Sequence, residues 1–292
     1  MRRSMLFLPG NTPNMLINGD VLGADSVILD LEDAISPDEK DSARILVRNI
    51  LEKMQYKNSE VIVRINSLDT GYWQDDLDAV IPKKPDIIMP TKVNDAETIR
   101  VISAYIGQLE IANNIAFGSI KMIPLLETTL GIENAFPIAV SDERIAALYL
   151  GAEDLTADLR CKRTKKGDEI FYSRSRLVCA ARAAKIEAYD TPFTDIGDEE
   201  GLLADTQLAK SLGYSGKAAI SPRQVSCINT AFTPSQAEIA HAQDVFHAIE
   251  EAHRFGKGAV SLHGKMIDAP IVERARQVLE AAAMLQGGTH HE

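Results

Sequence analysis

Cysteine is scarce in the 292-residue sequence, with only Cys161, Cys179 and Cys227 present. They are odd in number, and no two of them form a Cys-x-x-Cys pair. A disulfide framework or a zinc site built on cysteine needs paired or closely spaced cysteines. The sequence therefore argues against both and predicts reduced thiols in a cytosolic protein.

Long apolar runs and an excess of positive charge are absent as well. No stretch approaches the roughly 18 consecutive apolar residues of a membrane-spanning helix. The first apolar run stops at Pro9, which is too soon for the core of an export signal, so we interpret it as a strand. The net charge is −11, from 31 basic and 42 acidic residues, which disfavours nucleic acid as the main partner.

Nucleotide-binding loops and clustered histidines are missing too. No Gly-x-Gly-x-x-Gly follows an apolar run, and the segment from Gly258 to Met266 fails the P-loop spacing and lacks its Ser or Thr. His241, His247 and His253 are spaced so that each turns about 120° from the last on a helix. They share no face, and we interpret them as surface residues rather than metal ligands.

The sequence does contain about eight short apolar runs that alternate with amphipathic segments. Several runs are continuously apolar, as expected of parallel strands buried on both faces. The intervening segments follow the helical period, for example in the stripe from Ala43 to Met54. The predicted strands are Met5–Pro9, Ser26–Glu32, Glu60–Asn66, Asp86–Thr91, Lys121–Glu127, Ala146–Ala152, Glu187–Thr191 and Lys217–Ser221.

A doubly wound open sheet and a closed barrel both give this alternation. The number of units and the missing dinucleotide loop favour an α/β fold of the (β/α)8 TIM barrel type, which normally takes about 250 residues. We place the barrel in residues 1–234 and predict a C-terminal helical extension in residues 235–292. The extension, with helices over Ser235–Arg254 and up to about Leu285, exceeds what the barrel needs. We therefore expect it to pack on a neighbouring subunit.

Charged residues stand at the ends of several predicted strands. Asp30 and Glu32 end the second strand on one side of it, and Arg64 lies at the end of the third. Glu127 ends the fifth strand, and Asp154 follows the sixth. Because the carboxyl ends of parallel barrel strands converge on one face, we expect a common site there. Two neighbouring carboxylates with no histidine or cysteine nearby suit Mg²⁺.

Each of these residues also has a structural interpretation. Glu127 is followed by Thr128 and Thr129, and Asp154 by Leu155 and Thr156, so either carboxylate could be a helix N-cap. Arg64 lies in an apolar strand and must meet an anion, since burying its charge unpaired is prohibitive. That anion is either Asp30 or Glu32 in a structural pair, or a carboxylate of the substrate held by the planar guanidinium.

Three further segments could bind anions. The backbone amides of Gly151, Ala152 and Glu153 could receive a carboxylate, although a plain tight turn is equally common. Lys92 follows the fourth strand and could form a Schiff base, but a lysine there is more often a surface or anion-binding residue. The basic run Arg160–Lys166 is either a solvated loop or a contact for the phosphates of a thioester carrier.

Six motifs occur in order along the chain, and together they resemble the citrate lyase β-subunits of the aldolase/citrate lyase family of acyl-thioester lyases. The resemblance extends over about residues 2–285. It implies a TIM barrel and Mg²⁺-dependent cleavage of a carbon–carbon bond. The motifs are RSMLFLPG at 3–10, LDLED at 29–33, VRIN at 63–66, LLET at 125–128, LGAED at 150–154 and SLHGKMID at 261–268.

The resemblance implies roles for the strand-end residues. Glu127 and Asp154 would hold Mg²⁺, and Glu127 would also contact the substrate. Arg64 would bind and polarise the oxo-acid or hydroxy-acid end of the substrate. Asp30 and Glu32 would orient that end together with Arg64.

The resemblance also implies contributions from outside the strand ends. Gly151 and Ala152 are predicted to bind substrate, whereas Glu153 is left out of the metal site. Asp268 would act as the acid/base, reaching over from an adjacent subunit of a homo-oligomer, a trimer or hexamer. Asp268 is followed by Ala and Pro and is therefore also a good N-cap, which is its structural alternative.

The predicted reaction is cleavage of a citryl thioester to oxaloacetate and an acetyl thioester on an acyl carrier protein, with other lyase subunits as possible partners. The alternatives are a malyl-CoA or citramalyl-CoA lyase and a non-catalytic assembly subunit. The first predicted βα loop, residues 11–18, carries no lysine or arginine to meet nucleotide phosphates, which leans towards a protein-bound carrier. Intact Arg64, Glu127, Asp154 and Asp268 argue against a scaffold.

Overall fold

The computed structural model describes residues 1–254, 261–262 and 265–287. The chain divides into two compact units, one of residues 2–230 and one of residues 231–292 together with Met1. Within the described residues, no helix is both long enough and apolar enough to cross a membrane.

The first unit is built on a nine-stranded parallel sheet with the order β5-β4-β3-β2-β1-β9-β8-β7-β6. All residues of β2 and of β9 are buried, because the sheet has packed side chains on both faces. The predicted α/β class with a parallel sheet is confirmed. The strands are β1 Ser4–Pro9, β2 Ser26–Asp30, β3 Glu60–Arg64, β4 Ile87–Met89, β5 Lys121–Met122, β6 Leu125–Leu126, β7 Ala147–Leu150, β8 Glu187–Asp190 and β9 Gly216–Ala219.

The two end strands of this order, β5 and β6, are consecutive in the chain. Only Ile123 and Pro124 separate them. The Ile123 amide donates to the Ile88 carbonyl at 3.0 Å, and the Tyr149 amide donates to the Pro124 carbonyl at 3.1 Å. The predicted single strand over 121–127 is divided into β5 and β6, because Pro124 has no N–H and interrupts the ladder.

Helices follow the strands and cover the outer face of the sheet. In α2 the buried residues Ala43, Val47 and Ile50 form the predicted apolar stripe. The helices of this part of the chain are α1 Pro13–Asn18, α2 Lys40–Lys53, α3 Trp73–Val80, α4 Ala96–Ala112, α5 Thr129–Glu133, α6 Ala135–Ala139, α7 Ala152–Asp158, α8 Phe171–Ala183, α9 Glu199–Leu212 and α10 Pro222–Phe232.

The inner face of the curled sheet is filled by side chains from most of the strands. The buried cluster includes aliphatic residues of β1 to β4 and the aromatic rings of Tyr149 and Tyr189. Each fully buried large side chain contributes roughly 1.5–3 kcal/mol to folding. The packed interior leaves the carboxyl ends of the strands as the open end of the sheet.

The second unit is a pair of helices with a small hairpin between them. The helices α11, Gln236–Arg254, and α12, Ala269–Gly287, pack through Ala242, Val245 and Ala275. Strands β10, Ser261–Leu262, and β11, Lys265–Met266, pair antiparallel. Gly256, Gly258 and Gly264 lie outside the described residues.

The histidines of α11 were predicted to be surface residues. His241 and His247 are exposed. The side chain of His253 lies outside the described part of the chain.

Candidate active site

A cavity of about 480 Å³ opens at the carboxyl ends of the strands of the first unit. Six of the predicted site residues line it, namely Asp30, Arg64, Glu127, Gly151, Ala152 and Asp154. Apolar side chains such as Phe7 and Tyr149 form other parts of its wall. The parallel sheet thus brings together side chains that are far apart in sequence, as the strand-end argument predicted.

Arg64, the last residue of β3, is buried and paired with carboxylates. Its Nε and Nη2 donate to the two oxygens of Asp30 at 2.7 and 2.6 Å. Its Nη1 lies 3.2 Å from Glu32 Oε2, and the guanidinium stacks over the Phe7 ring at 5.0 Å. The structural interpretation of Arg64 is therefore realised in its pairing with Asp30, and its cavity-lining position leaves room for a substrate contact as well.

The turn after β2 is held by a network around Asp30. The two Asp30 oxygens accept the backbone amides of Glu32 and Ala34 at 2.9 and 3.2 Å. Behind the turn, Lys40 Nζ donates to the carbonyls of Leu31 and Glu32 at 2.9 and 2.7 Å. Burial raises the pKa of Glu32, and the opposing pull of the Arg64 charge only partly offsets that effect. Asp30 is a rigid anchor, and Glu32 faces the other carboxylates.

Glu127 lies directly after β6 and is buried against Gly151, the residue directly after β7. A Cβ built on Gly151 would lie 2.7 Å from the Glu127 Cβ and Oε2, so position 151 has no room for a side chain. Burial raises the pKa of Glu127 to about 8, with Arg64 opposing and Glu32 and Asp154 adding to the rise. The site is therefore short of positive charge around this carboxylate.

The capping alternative does not describe Glu127. Thr128 is the N-cap of α5, and its Oγ1 accepts the Gly131 amide at 3.0 Å. The Glu127 carboxylate instead accepts the backbone amide of Lys92 at 2.8 Å, from a different loop. In α7 the N-cap residue is Gly151, and Asp154 lies in the first turn with 40% of its side chain exposed.

The donors present fit a divalent cation such as Mg²⁺. They are carboxylate oxygens, the ligands Mg²⁺ prefers, and this ion usually takes one or two carboxylates and completes its octahedron with water and substrate oxygens. Within the described residues, no group of three His, Cys, Asp or Glu side chains is arranged to hold a metal alone. Glu127 and Asp154 would therefore need water and substrate as partners.

Two residues of the site were missed or discounted in the sequence. Lys92 Nζ lies 3.0 Å from Glu32 Oε1 and 3.7 Å from Asp154 Oδ2. Thr191, directly after β8, is buried, lines the cavity and accepts the Ala152 amide on its Oγ1 at 3.0 Å. Both stand at strand ends, which is the signal that identified Arg64 and Glu127.

The two amides predicted to receive substrate already have acceptors within the chain. Ala152 donates to Thr191, and Gly151 donates to the Leu126 carbonyl at 3.0 Å. Their role in substrate binding stays a prediction.

Asp268 lies in the second unit at the start of α12. It is exposed, and its Oδ1 accepts the Ile271 amide at 3.1 Å. This is the geometry of the capping alternative. Its catalytic role stays a prediction.

The basic run 160–166 lies in an exposed loop and is largely ion-paired. Arg163 pairs with Glu169 at 2.8 Å, and Lys165 pairs with Asp195 at 2.6 Å. These partners reduce the charge available to an incoming phosphate, which favours the solvated-loop interpretation.

Residues 3–222 match the family described as HpcH/HpaI aldolase/citrate lyase. The chain is 42% identical to the citrate lyase subunit beta of Leuconostoc mesenteroides subsp. cremoris over 282 residues, 97% of this chain and 93% of that protein.

Two solved structures from Mycobacterium tuberculosis are similar. CitE in complex with magnesium, acetoacetate and coenzyme A is 28% identical with a TM-score of 0.80, covering 97% of this chain and 98% of that one. A citrate lyase beta subunit complexed with oxaloacetate and magnesium is 29% identical with a TM-score of 0.66, covering 80% of this chain and 97% of that one.

Proposed function

Since the chain belongs to the HpcH/HpaI aldolase/citrate lyase family, we propose that it is a Mg²⁺-dependent lyase that cleaves a citryl thioester to oxaloacetate and an acetyl thioester. The observation that carries this proposal is the group of carboxylates beside Arg64 in a cavity at the strand ends. It offers hard oxygen ligands and a fixed cation in one place.

The proposed reaction breaks one carbon–carbon bond. A base removes the proton of the tertiary hydroxyl, the bond next to it breaks, and its electron pair forms the enolate of the acetyl thioester. The enolate carbon then receives a proton, so one proton leaves oxygen and one arrives on carbon. Arg64 Nη1 binds the departing oxo-acid, while Asp30 and Glu32 fix the orientation of the guanidinium.

Glu127 and Asp154 would hold the metal, with Glu127 also touching the substrate. When bound, Mg²⁺ would act as a Lewis acid on the forming carbonyl and as a template for the substrate. Because Gly151 has no side chain, the Glu127 carboxylate can occupy the space beside it. Gly151 and Ala152 are the backbone positions beside which the oxo-acid would lie.

Asp268 is the proposed proton donor to the enolate carbon, acting on the site of a neighbouring subunit. This requires a homo-oligomer, a trimer or hexamer, and the second unit is the part of the chain available for such contact. A cytosolic location, an acyl carrier protein as thioester carrier and further lyase subunits as partners complete the proposal.

We also propose that the curled sheet is a closed (β/α)8 barrel in which β5 and β6 are two parts of one strand. The hydrogen bonds of Ile123 to Ile88 and of Tyr149 to Pro124, on opposite sides of this segment, support it. The catalytic barrel would occupy residues 1–234 and the helical extension residues 235–292.

Cleavage of a coenzyme A ester, such as malyl-CoA or citramalyl-CoA, is the second candidate. It is favoured by the similarity to the structure that holds coenzyme A with magnesium and acetoacetate. The test is mass spectrometry of products after citryl, malyl and citramalyl thioesters are offered with Mg²⁺, each on coenzyme A and on an acyl carrier protein.

Oxaloacetate from the citryl thioester alone is the expected result. Glyoxylate or pyruvate from the other thioesters would support the second candidate instead. If no thioester gives a product, the chain is better described as a non-catalytic assembly subunit.

A further inference from the structure

One residue, Lys92, contacts three carboxylates of the site through two different groups. Its backbone amide donates to Glu127 Oε1 at 2.8 Å. Its side-chain Nζ donates to Glu32 Oε1 at 3.0 Å and lies 3.7 Å from Asp154 Oδ2. Both residues proposed to hold the metal are thus in contact with a lysine.

The backbone at Lys92 is in an unfavourable conformation that makes these contacts possible. Its φ of 52° lies in the left-handed region, which residues other than glycine seldom adopt. The preceding Thr91 is fixed by a hydrogen bond from its Oγ1 to the Ile65 carbonyl at 3.1 Å. The fold therefore directs both the amide and the side chain of Lys92 at the same carboxylates.

The two contacts of the ammonium group differ in strength. The contact with Glu32 is a hydrogen bond to a carboxylate of which 6% is exposed, whereas Asp154 is farther away and 40% exposed. An ion pair at a longer distance and in a more solvated place is the weaker one. Lysine also carries its charge on a flexible stem, so the ammonium can move while its backbone stays in place.

We propose that Lys92 is a built-in counter-cation of the metal site. Its ammonium group holds Glu32 and Asp154 together before Mg²⁺ binds, then withdraws from Asp154 and stays on Glu32 as the metal takes Asp154. The inference rests on the proposed function, since it assumes that Glu127 and Asp154 bind Mg²⁺. Because the ammonium and the metal repel each other, Lys92 stabilises the metal-free site and weakens metal binding.

If Lys92 has this role, removal of its charge should raise the affinity for Mg²⁺. Removal of a purely structural residue should not. Replacing Lys92→Met keeps most of the stem and removes the charge. We expect the variant to bind Mg²⁺ at least about tenfold more tightly, a change of about 1.4 kcal/mol. The metal-free variant should unfold at a lower temperature than the wild type and gain more from added Mg²⁺. A residue that only supports the fold would leave the affinity unchanged or lower it.

The experiment is a calorimetric titration of the chelator-treated proteins with MgCl₂, with thermal unfolding in chelator and in Mg²⁺. Lys84→Met is the matched control, because Lys84 is an exposed lysine that shares the left-handed backbone, with φ of 56°. It should match the wild type in Mg²⁺ affinity. Lys92→Arg keeps the charge and should stay within about threefold of the wild type.

Unchanged or weaker Mg²⁺ binding by Lys92→Met, with normal binding by the wild type, overturns the inference and leaves the proposed function intact. An arginine variant that tightens binding as much as methionine overturns it too, since charge would then not matter. If the methionine variant does not fold, Lys92→Gln takes its place in the same comparison. Absence of Mg²⁺ binding by the wild type itself contradicts both the inference and the proposed function.

Discussion

Two groups of buried charges lie at neighbouring strands of the first unit, and they differ in balance. In one, Arg174 and Lys217 share the carboxylates of Asp190 and Asp205 at distances of 2.6 to 2.9 Å. All four side chains are almost completely buried. Two cations meet two anions, and none of these residues is among those that line the cavity.

The candidate active site has the opposite composition. Arg64 and Lys92 are the cations in direct contact with its carboxylates, which number four when the partly exposed Asp33 is left aside: Asp30, Glu32, Glu127 and Asp154. A balanced, closed network joins the sheet to α8 and α9 and supports the fold. An unbalanced group beside a cavity instead favours a further cation and a ligand. The same residue types therefore serve stability in one place and chemistry in the other.

The largest effect is expected at the unbalanced group. Glu127→Gln and Asp154→Asn should each lower Mg²⁺-dependent turnover about a thousandfold or more, because metal catalysis is worth several kcal/mol. Folding, followed by circular dichroism and thermal unfolding, should be intact. Unchanged Mg²⁺ affinity of both variants in calorimetry would show the metal assignment to be wrong. Retained activity in Asp154→Asn would leave Asp154 a residue of the first turn of α7 with no part in metal binding.

The balanced group should respond in the opposite way. Asp190→Asn leaves Arg174 and Lys217 with one shared carboxylate, and breaking a buried pair in this manner costs about 3–5 kcal/mol. Guanidinium unfolding at equilibrium measures the loss, with Glu127→Gln as the comparison variant. If the free energy of unfolding falls by less than about 1 kcal/mol, this network does not stabilise the fold more than the candidate active site does.

Arg64→Lys should give an intermediate effect. An ammonium cannot reproduce the two parallel hydrogen bonds with Asp30, so the group that faces the substrate loses its fixed position. We expect kcat/KM to fall by roughly 10–150-fold, or about 1.5–3 kcal/mol. Arg100→Lys, on the exposed side of α4, is the control. Near-normal turnover by the Arg64 variant would reduce this residue to a structural ion-pair member.

The most gradual effect concerns pH. Burial raises the pKa of Glu127 in the folded protein to about 8, well above the usual value of about 4.3 for a glutamate. Between these values the folded chain retains a proton that the unfolded chain has lost, so the stability of the metal-free protein should fall as pH rises from about 5 to 8. In urea unfolding across this range, the free energy of unfolding should depend less on pH in Glu127→Gln than in the wild type. Mg²⁺ should reduce the slope in the wild type, since it needs the ionised carboxylate. An identical slope in both proteins would place the titration elsewhere.

The parts of this picture that follow from strand periodicity could be predicted from sequence. Continuous apolar runs predicted parallel strands, and residues at their ends were expected to converge, as Arg64 does with Asp30 and Glu32. The motifs predicted the family, which the comparison with known proteins confirms.

The parts that depend on backbone conformation and on partners outside the motifs could not be predicted. The local sequence does not predict the left-handed backbone of Lys92. The contact of its side chain with Glu32 could therefore not be predicted either. The division of the fifth strand required knowing that Pro124 stands within the ladder. The sequence offered both Asp30 and Glu32 as partners of Arg64, and it could not show that Asp30 takes two of the guanidinium nitrogens.

The close approach of Gly151 to Glu127 has a consequence for how this chain can diverge. The φ of Gly151 is −103°, which any residue adopts, so its glycine is required by crowding alone. Gly71, with φ of 74° and open space around its missing Cβ, is the reverse case. In a library randomised at both positions and selected for activity, asparagine should survive at 71 because it tolerates the left-handed region. Only glycine should survive at position 151. Any other residue found there would indicate that the Glu127 carboxylate has moved or been replaced.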